Sequence, residues 1–200
     1  RLWEVRRMEE KTALKIARSR LKDKRFQHTV NVRDMAVTLA ERYGADPHKA
    51  AIAALLHDAA KEMSREELLQ IVRDNAIISE NAENRPQPVW HGICAAILAK
   101  TQWGVEDEEI LSAIRCHTTG KRDMSLLDKI LYLADMTSAE RTYPEAAYLR
   151  KVEMEDLDRA LGEALQMSLE WLRESGKPID PVTREACEEY RRFAGGKTDT

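Results

Sequence analysis

One stretch limits what this chain can fold into: Ala53-Ala54-Leu55-Leu56-His57-Asp58-Ala59-Ala60-Lys61, an apolar run that ends in an adjacent histidine and aspartate. The run predicts a buried helix, and two neighbouring polar side chains in a buried helix cost several kcal/mol unless something pairs them. A metal ion satisfies both, because imidazole and carboxylate are ligands for first-row divalent cations.

Such a site needs further ligands from elsewhere. Of the 5 histidines, His28, His57, His91 and His117 each fall on the apolar stripe of a separate helical pattern. Asp135 ends another apolar run, Ile130-Leu131-Tyr132-Leu133-Ala134-Asp135. One histidine on an apolar stripe reads as a hydrogen-bonded core residue; four of them together with two helical aspartates favour a metal. His48, beside Pro47 and Lys49, reads as a surface residue.

Length and charge narrow the alternatives. The 200 residues suffice to bury a substantial core, and a formal net charge of -3 gives no global basic field for nucleic acid. Phosphate binding would have to come from local clusters. No apolar run reaches membrane-spanning length and the start lacks the apolar core of a secretion signal, so the expectation is a soluble, cytoplasmic protein without a membrane partner. The 3 cysteines form no CxxC pair, and Cys94, Cys116 and Cys187 read as small core residues.

In order, the chain reads as helix after helix. A helix near Met8–Ser19 comes first, within residues 1–20, whose start without methionine reads as trimmed. The next, about Lys24–Tyr43, places His28, Val32, Met35 and Leu39 on one face. Asp46-Pro47 opens a third that runs into His57-Asp58. Neighbouring helical residues point about 100° apart, so a two-metal centre bridged by the carboxylate fits that pair. Ser64 and Glu67 match a capping box, and Asn75 to Val89 reads as the longest loop, a wall or lid beside His91. Helices follow at His91–Trp103, Asp107–His117 and from Ser125 through Asp135. A long amphipathic helix is expected from Met154 to Glu174, then a last one from Asp180-Pro181. The expected organisation is a metal-binding core over 20–150, supporting helices of the same domain over 151–194, and a disordered tail over 195–200.

The order H…HD…H…H…D on an all-helical chain resembles the HD-domain superfamily of metal-dependent phosphohydrolases. More narrowly, His28-Thr29-Val30-Asn31-Val32, Leu55 to Lys61, His91-Gly92, Ala113 to Gly120 and Leu131 to Asp135 resemble its branch of bacterial symmetrical bis(5′-nucleosyl)-tetraphosphatases. The resemblance covers roughly Arg20 to Tyr190. It implies an all-α HD-domain bundle with a dinuclear metal site in its core, held by His28, His57, Asp58, His91, His117 and Asp135, with Asp58 bridging. It implies two divalent ions, iron first, with manganese or another transition metal open. It further implies attack of a metal-bound hydroxide on diadenosine tetraphosphate to give two ADP. One departure is visible: the branch usually continues after the last aspartate with Ile-Glu-Pro before an arginine, whereas here Met136-Thr137-Ser138-Ala139-Glu140 precede Arg141.

A tetraphosphate carries about four negative charges, so cations are needed around the metals. Lys61, four residues after His57, is the candidate for phosphate or leaving group, set against a reading as a solvated lysine. Arg141, Lys121 and Arg122 are further phosphate candidates, as are the hydroxyls of Thr118 and Thr119 in the turn after His117. An exposed basic loop is the plainer reading for Lys121 and Arg122. Three other functions share these residues: a phosphohydrolase for mono-, deoxy- or signalling nucleotides, a dinuclear iron oxygenase, and a nucleotide-sensing module with a structural metal. Whether the long helices pair two copies in a homodimer stays open.

Overall fold

Caps and apolar stripes set the elements in the computed structural model, which describes residues 7–79 and 81–195. The helices are α1 (Glu10–Arg20), α2 (Asp23–Tyr43), α3 (Pro47–Leu56), α4 (Arg65–Asp74), α5 (Trp90–Thr101), α6 (Glu108–Arg115), α7 (Leu126–Thr137), α8 (Pro144–Glu155), α9 (Leu157–Glu174) and α10 (Pro181–Tyr190). No strand occurs among the described residues, so the chain is all-α. Nor is any helix among them long and apolar enough to cross a membrane.

The starts follow from side chains. Asp46 accepts from the backbone N–H groups of His48 and Lys49 ahead of α3, and Ser64 and Ser125 close capping boxes with Glu67 and Asp128. Each such cap contributes about 1 kcal/mol. Gly44 ends α2 at φ 79, the left-handed conformation that a residue without Cβ adopts at no cost.

Helix α3 is buried from Ala50 to Leu56, and its small side chains let α1, α2, α6 and α7 pack around it. Ile52, Leu55 and Leu56 join Ile93, Ile97, Leu111, Ile114, Ile130, Leu131 and Leu133 among the fully buried large side chains. Each contributes roughly 1.5–3 kcal/mol by leaving water. Leu161 and Leu165 of α9 and Ala186 of α10 belong to the same buried cluster.

Two expectations differ from the structure. Helix α3 stops at Leu56 instead of continuing through His57-Asp58: the His57 ring takes the Ala54 carbonyl, and the chain tightens into three-residue turns, Ala59 N–H to Leu56 O and Lys61 N–H to Asp58 O. The helix expected from Met154 to Glu174 is α9, which starts only at Leu157: Met154 and Glu155 close α8, and the break falls at Asp156, whose φ of -150 leaves the helical region and whose carboxylate caps α9 through Arg159 N–H. The stretch from 75 to 89 carries short 3₁₀ turns at Ala82–Asn84 and Gln87–Val89 and is tied down. There Arg85 Nε donates to Asp180 Oδ2 at 2.7 Å and Trp90 Nε1 donates to Arg85 O. Residues 1–6 of the opening stretch and 196–200 of the expected tail lie outside the described residues.

Candidate metal centre

Five separate pieces of chain aim side chains at one buried point. α2 supplies His28, the turn after α3 supplies His57 and Asp58, the first turn of α5 supplies His91, the turn after α6 supplies His117, and α7 supplies Asp135. His28, His57, Asp58, His91 and His117 are buried, with Asp135 half-buried.

Two helix ends orient their rings in the same way. Where α3 and α6 stop, the carbonyl three residues before each histidine is released from the helical ladder, and the ring Nδ1–H donates to it: His57 to Ala54 O, His117 to Ile114 O at 2.7 Å. That fixes the tautomer and turns each Nε2 lone pair to the centre. Gly92 makes room for the result. A Cβ there would lie 3.1 Å from the His117 ring and 3.2 Å from Ile114 O, tight enough that the ring or the α6 end would have to give by a few tenths of an ångström, so glycine lets α5 press against His117 undisturbed.

Asp58 divides the centre. Its Oδ2 lies 3.6 Å from His28 Nε2 and 3.4 Å from His57 Nε2, while its Oδ1 lies 3.5 Å from His91 Nε2 and 3.6 Å from His117 Nε2. Asp135 Oδ1 adds itself to one side only, 2.9 Å from His28 Nε2 and 3.6 Å from His57 Nε2. Two atoms each about 2.1 Å from a shared ion lie about 3.0 Å apart at right angles and 3.4 Å apart at a tetrahedral angle, so these separations fit coordination. His57 Nε2 is buried without a hydrogen-bond partner, and His91 and His117 point Nε2 at Nε2 across 3.2 Å. His117, whose Nδ1–H is spent on Ile114 O, is the acceptor of that pair, and a proton on His91 Nε2 or a cation fills the gap between them.

Proton affinities tell the same story. Burial opposes a charge on His57, yet the Asp58 and Asp135 carboxylates outweigh it and push its pKa up to about 10. Burial, reinforced by the charges of His117 and Lys61, takes His91 down to about 4. Asp58 and Asp135 stay well below the ordinary carboxylate range although burial opposes ionisation: the charge of His57 is the chief cause at Asp58, ahead of hydrogen bonds from His117 and His91, and hydrogen bonds from His28 and His57 are the chief cause at Asp135. The hollow demands positive charge, and the donor set of imidazoles and carboxylates suits divalent transition metals.

Cations ring the rim. Arg141 Nη2 lies 3.5 Å from Asp135 Oδ1, and its Nε donates to Asp135 O at 2.6 Å. Lys61 is exposed, and its charge is felt at His91. Thr118 Oγ1 is buried without a partner, whereas Thr119 donates to Gly120 O. Lys121 Nζ lies 3.6 Å from the buried Asp128, and Arg122 lies 3.6 Å from Glu188 of α10, so neither is drawn into the ligand cluster. Two participants escaped the sequence reading. Arg25 Nη1 donates to Asp58 Oδ2 at 3.2 Å, and its position three residues before His28 on α2 was the available signal. Glu140 sits 3.0 Å from His28 Nδ1 from a turn beyond α7, where no periodicity points to it.

The chain belongs to the HD-domain family, whose model matches residues 25–140. Within that family it aligns with symmetrical bis(5′-nucleosyl)-tetraphosphatases. It is 38% identical to the one from Bacillus subtilis, over 88% of this chain and 94% of that protein, and 36% identical to the one from Halalkalibacterium halodurans, over 86% and 91%. A crystal structure described as a predicted HD superfamily hydrolase involved in NAD metabolism, from Clostridium acetobutylicum, superposes with a TM-score of 0.85 at 34% identity, covering 92% of this chain and 98% of that one.

Proposed function

We propose that this protein is a metal-dependent hydrolase that cuts dinucleoside tetraphosphates symmetrically, diadenosine tetraphosphate giving two ADP, in the cytoplasm. What carries the reading is the double-facing carboxylate of Asp58, its two oxygens turned to two different sets of imidazoles, in a chain aligned with symmetrical tetraphosphatases over nearly their whole length. The residues present fit two ions. His28, His57 and Asp135 would hold one and His91 and His117 the other, with one oxygen of Asp58 available to each; iron is our assignment, with manganese the working substitute. When bound, the ions supply an acidified water and the positive charge that phosphoanhydride cleavage requires.

The chain's own groups do the rest. Carbonyl-locked rings at His57 and His117 keep their lone pairs aimed inward without reorganisation. Arg25 and Arg141 approach from the rim, their guanidiniums already against Asp58 and Asp135, and are placed to hold the two inner phosphates bidentately once the carboxylates bind metal. Lys61 faces the leaving diphosphate from the His91 side, and the unpartnered Thr118 hydroxyl offers one more donor. Lys121 and Arg122 contribute at most to the outer field, since each already has an acid within 3.6 Å.

The test is product analysis. Manganese-loaded protein incubated with diadenosine tetraphosphate releases ADP alone, and a folded Asp58→Ala variant releases none. ATP plus AMP would overturn the symmetrical cut; no turnover by fully loaded protein would reject the substrate.

A further inference from the structure

The chain that leaves α7 turns back over the centre, and its geometry there is unlike that at the other rings. His57 and His117 each give their Nδ1–H to a neutral main-chain carbonyl. His28 gives its own to a carboxylate: Glu140 Oε2 at 3.0 Å. That carboxylate is itself held, since Ser138 Oγ donates to Oε2 at 2.6 Å and Asn31 Nδ2 donates to Oε1 at 3.2 Å. Ser138 is fully buried, and the turn that carries it is pinned from α8, where the Arg150 guanidinium donates to the carbonyl oxygens of Thr137 and Ser138, each at 2.8 Å. An exposed glutamate in a turn would ordinarily wander; this one has three donors in place.

We infer that Glu140 is a positioning residue for the ion held by His28, His57 and Asp135. The inference rests on the metal reading above and deepens it. A carboxylate on Nδ1–H holds that proton in place, commits Nε2 to the ion beside Asp58 and Asp135, and makes His28 the most electron-rich imidazole of the set. Ser138 sets the reach: it binds the oxygen that His28 binds, so the carboxylate cannot swing towards Arg141, whose Nε stands 4.0 Å away. Asn31, one turn after His28 on α2, ties the other oxygen to the helix that carries the ring. The departure at residues 136–140 is therefore a route by which a carboxylate from beyond α7 reaches α2.

The experiment is calorimetric titration of metal-free protein with manganese under reducing conditions, with thermal unfolding of each metal-free variant alongside. Glu140→Ala is expected to weaken the tighter of the two manganese binding events by about 10–100-fold. Glu140→Gln, which can still accept from Nδ1–H without the charge, is expected to recover most of the loss. Ser138→Ala, which leaves the carboxylate but frees it, is expected to lose a few-fold and guards against a Glu140→Ala variant that does not fold. Unchanged manganese affinity in folded Glu140→Ala overturns the inference, as do equal losses in the alanine and glutamine variants. Wild-type protein that binds manganese but leaves diadenosine tetraphosphate intact would overturn the substrate and leave Glu140 standing. Wild-type protein that binds no manganese would overturn both.

Discussion

The two sides of the centre use the same residue type to opposite ends. On the His28 side, two imidazoles share Asp58 and Asp135, with Glu140 behind one ring and Arg25 and Arg141 at the rim. On the His91 side, two imidazoles face each other over 3.2 Å with one oxygen of Asp58 between them and no carboxylate of their own. His57 and His91 are both buried, yet one is pushed up to about 10 and the other down to about 4. Burial alone therefore does not set how strongly an imidazole here attracts positive charge; the charges beside it do, Asp58 and Asp135 for His57, and His117 and Lys61 against His91. The expected consequence is an acid-rich side that grips its ion and a histidine side that holds its ion more loosely and leaves room for water and phosphate.

Removing what the sides share should have the largest effect. Asp58→Ala takes a ligand from both, and we expect the rate of ADP release to fall by at least about 10³-fold while the helical circular dichroism persists. A loss below tenfold would mean that the centre does not perform the chemistry.

Separating the sides comes next. His91→Ala is expected to keep one tightly held manganese out of two, whereas His28→Ala is expected to lose the tight event and weaken the other through Asp58, which then lacks a fixed position. Metal analysis after gel filtration distinguishes them; identical stoichiometry in the two variants would erase the asymmetry.

A gentler perturbation moves the His91 side alone. Gly92→Ala places a methyl 3.1 Å from the His117 ring. We expect about a tenfold loss of turnover, at a cost of roughly 1–2 kcal/mol in unfolding free energy, with the tight manganese event unchanged.

The last test sits outside both sides. Glu153 of α8 is fully buried, its Oε1 has no partner, and its Oε2 lies 3.1 Å from Thr137 Oγ1, whose own hydrogen goes to Leu133 O. The Thr137 hydroxyl, shared between Leu133 O and Glu153 Oε2, is thus a weak donor to the carboxyl, and a charge on it is poorly supported. Burial agrees, raising the Glu153 pKa from 4.5 to about 8 against the opposing pull of Thr137 and Arg150. Because the folded value lies above the unfolded one, the contribution to stability is complete below about pH 4.5 and is lost as the pH rises through about 8. Relative to Glu153→Gln, wild-type protein should lose up to roughly 4 kcal/mol between about pH 5 and pH 9, read from denaturant midpoints, with little change in turnover at pH 7.

What could be read from residues alone divides along physical lines. His28, His57, His91, His117 and Asp135 stood out because each interrupts an apolar stripe, and helical spacing converts that into an inward direction. Helix α8 did not stand out, its sequence being polar on several faces; the Pro144 start and the Asp156 cap were its available marks. Gly92 meant nothing without knowing what lies opposite. Glu140 was out of reach in principle: its bond to His28 joins residues 112 positions apart, and no local pattern encodes where a turn returns to an earlier helix.

The Arg85–Asp180 ion pair carries a last consequence. Asp180, at the start of α10, holds Arg85; the Arg85 carbonyl holds the Trp90 indole, and Trp90 is the residue before His91. Trimming the chain ahead of Asp180, by protease or by truncation, would therefore be felt at His91, which it never touches.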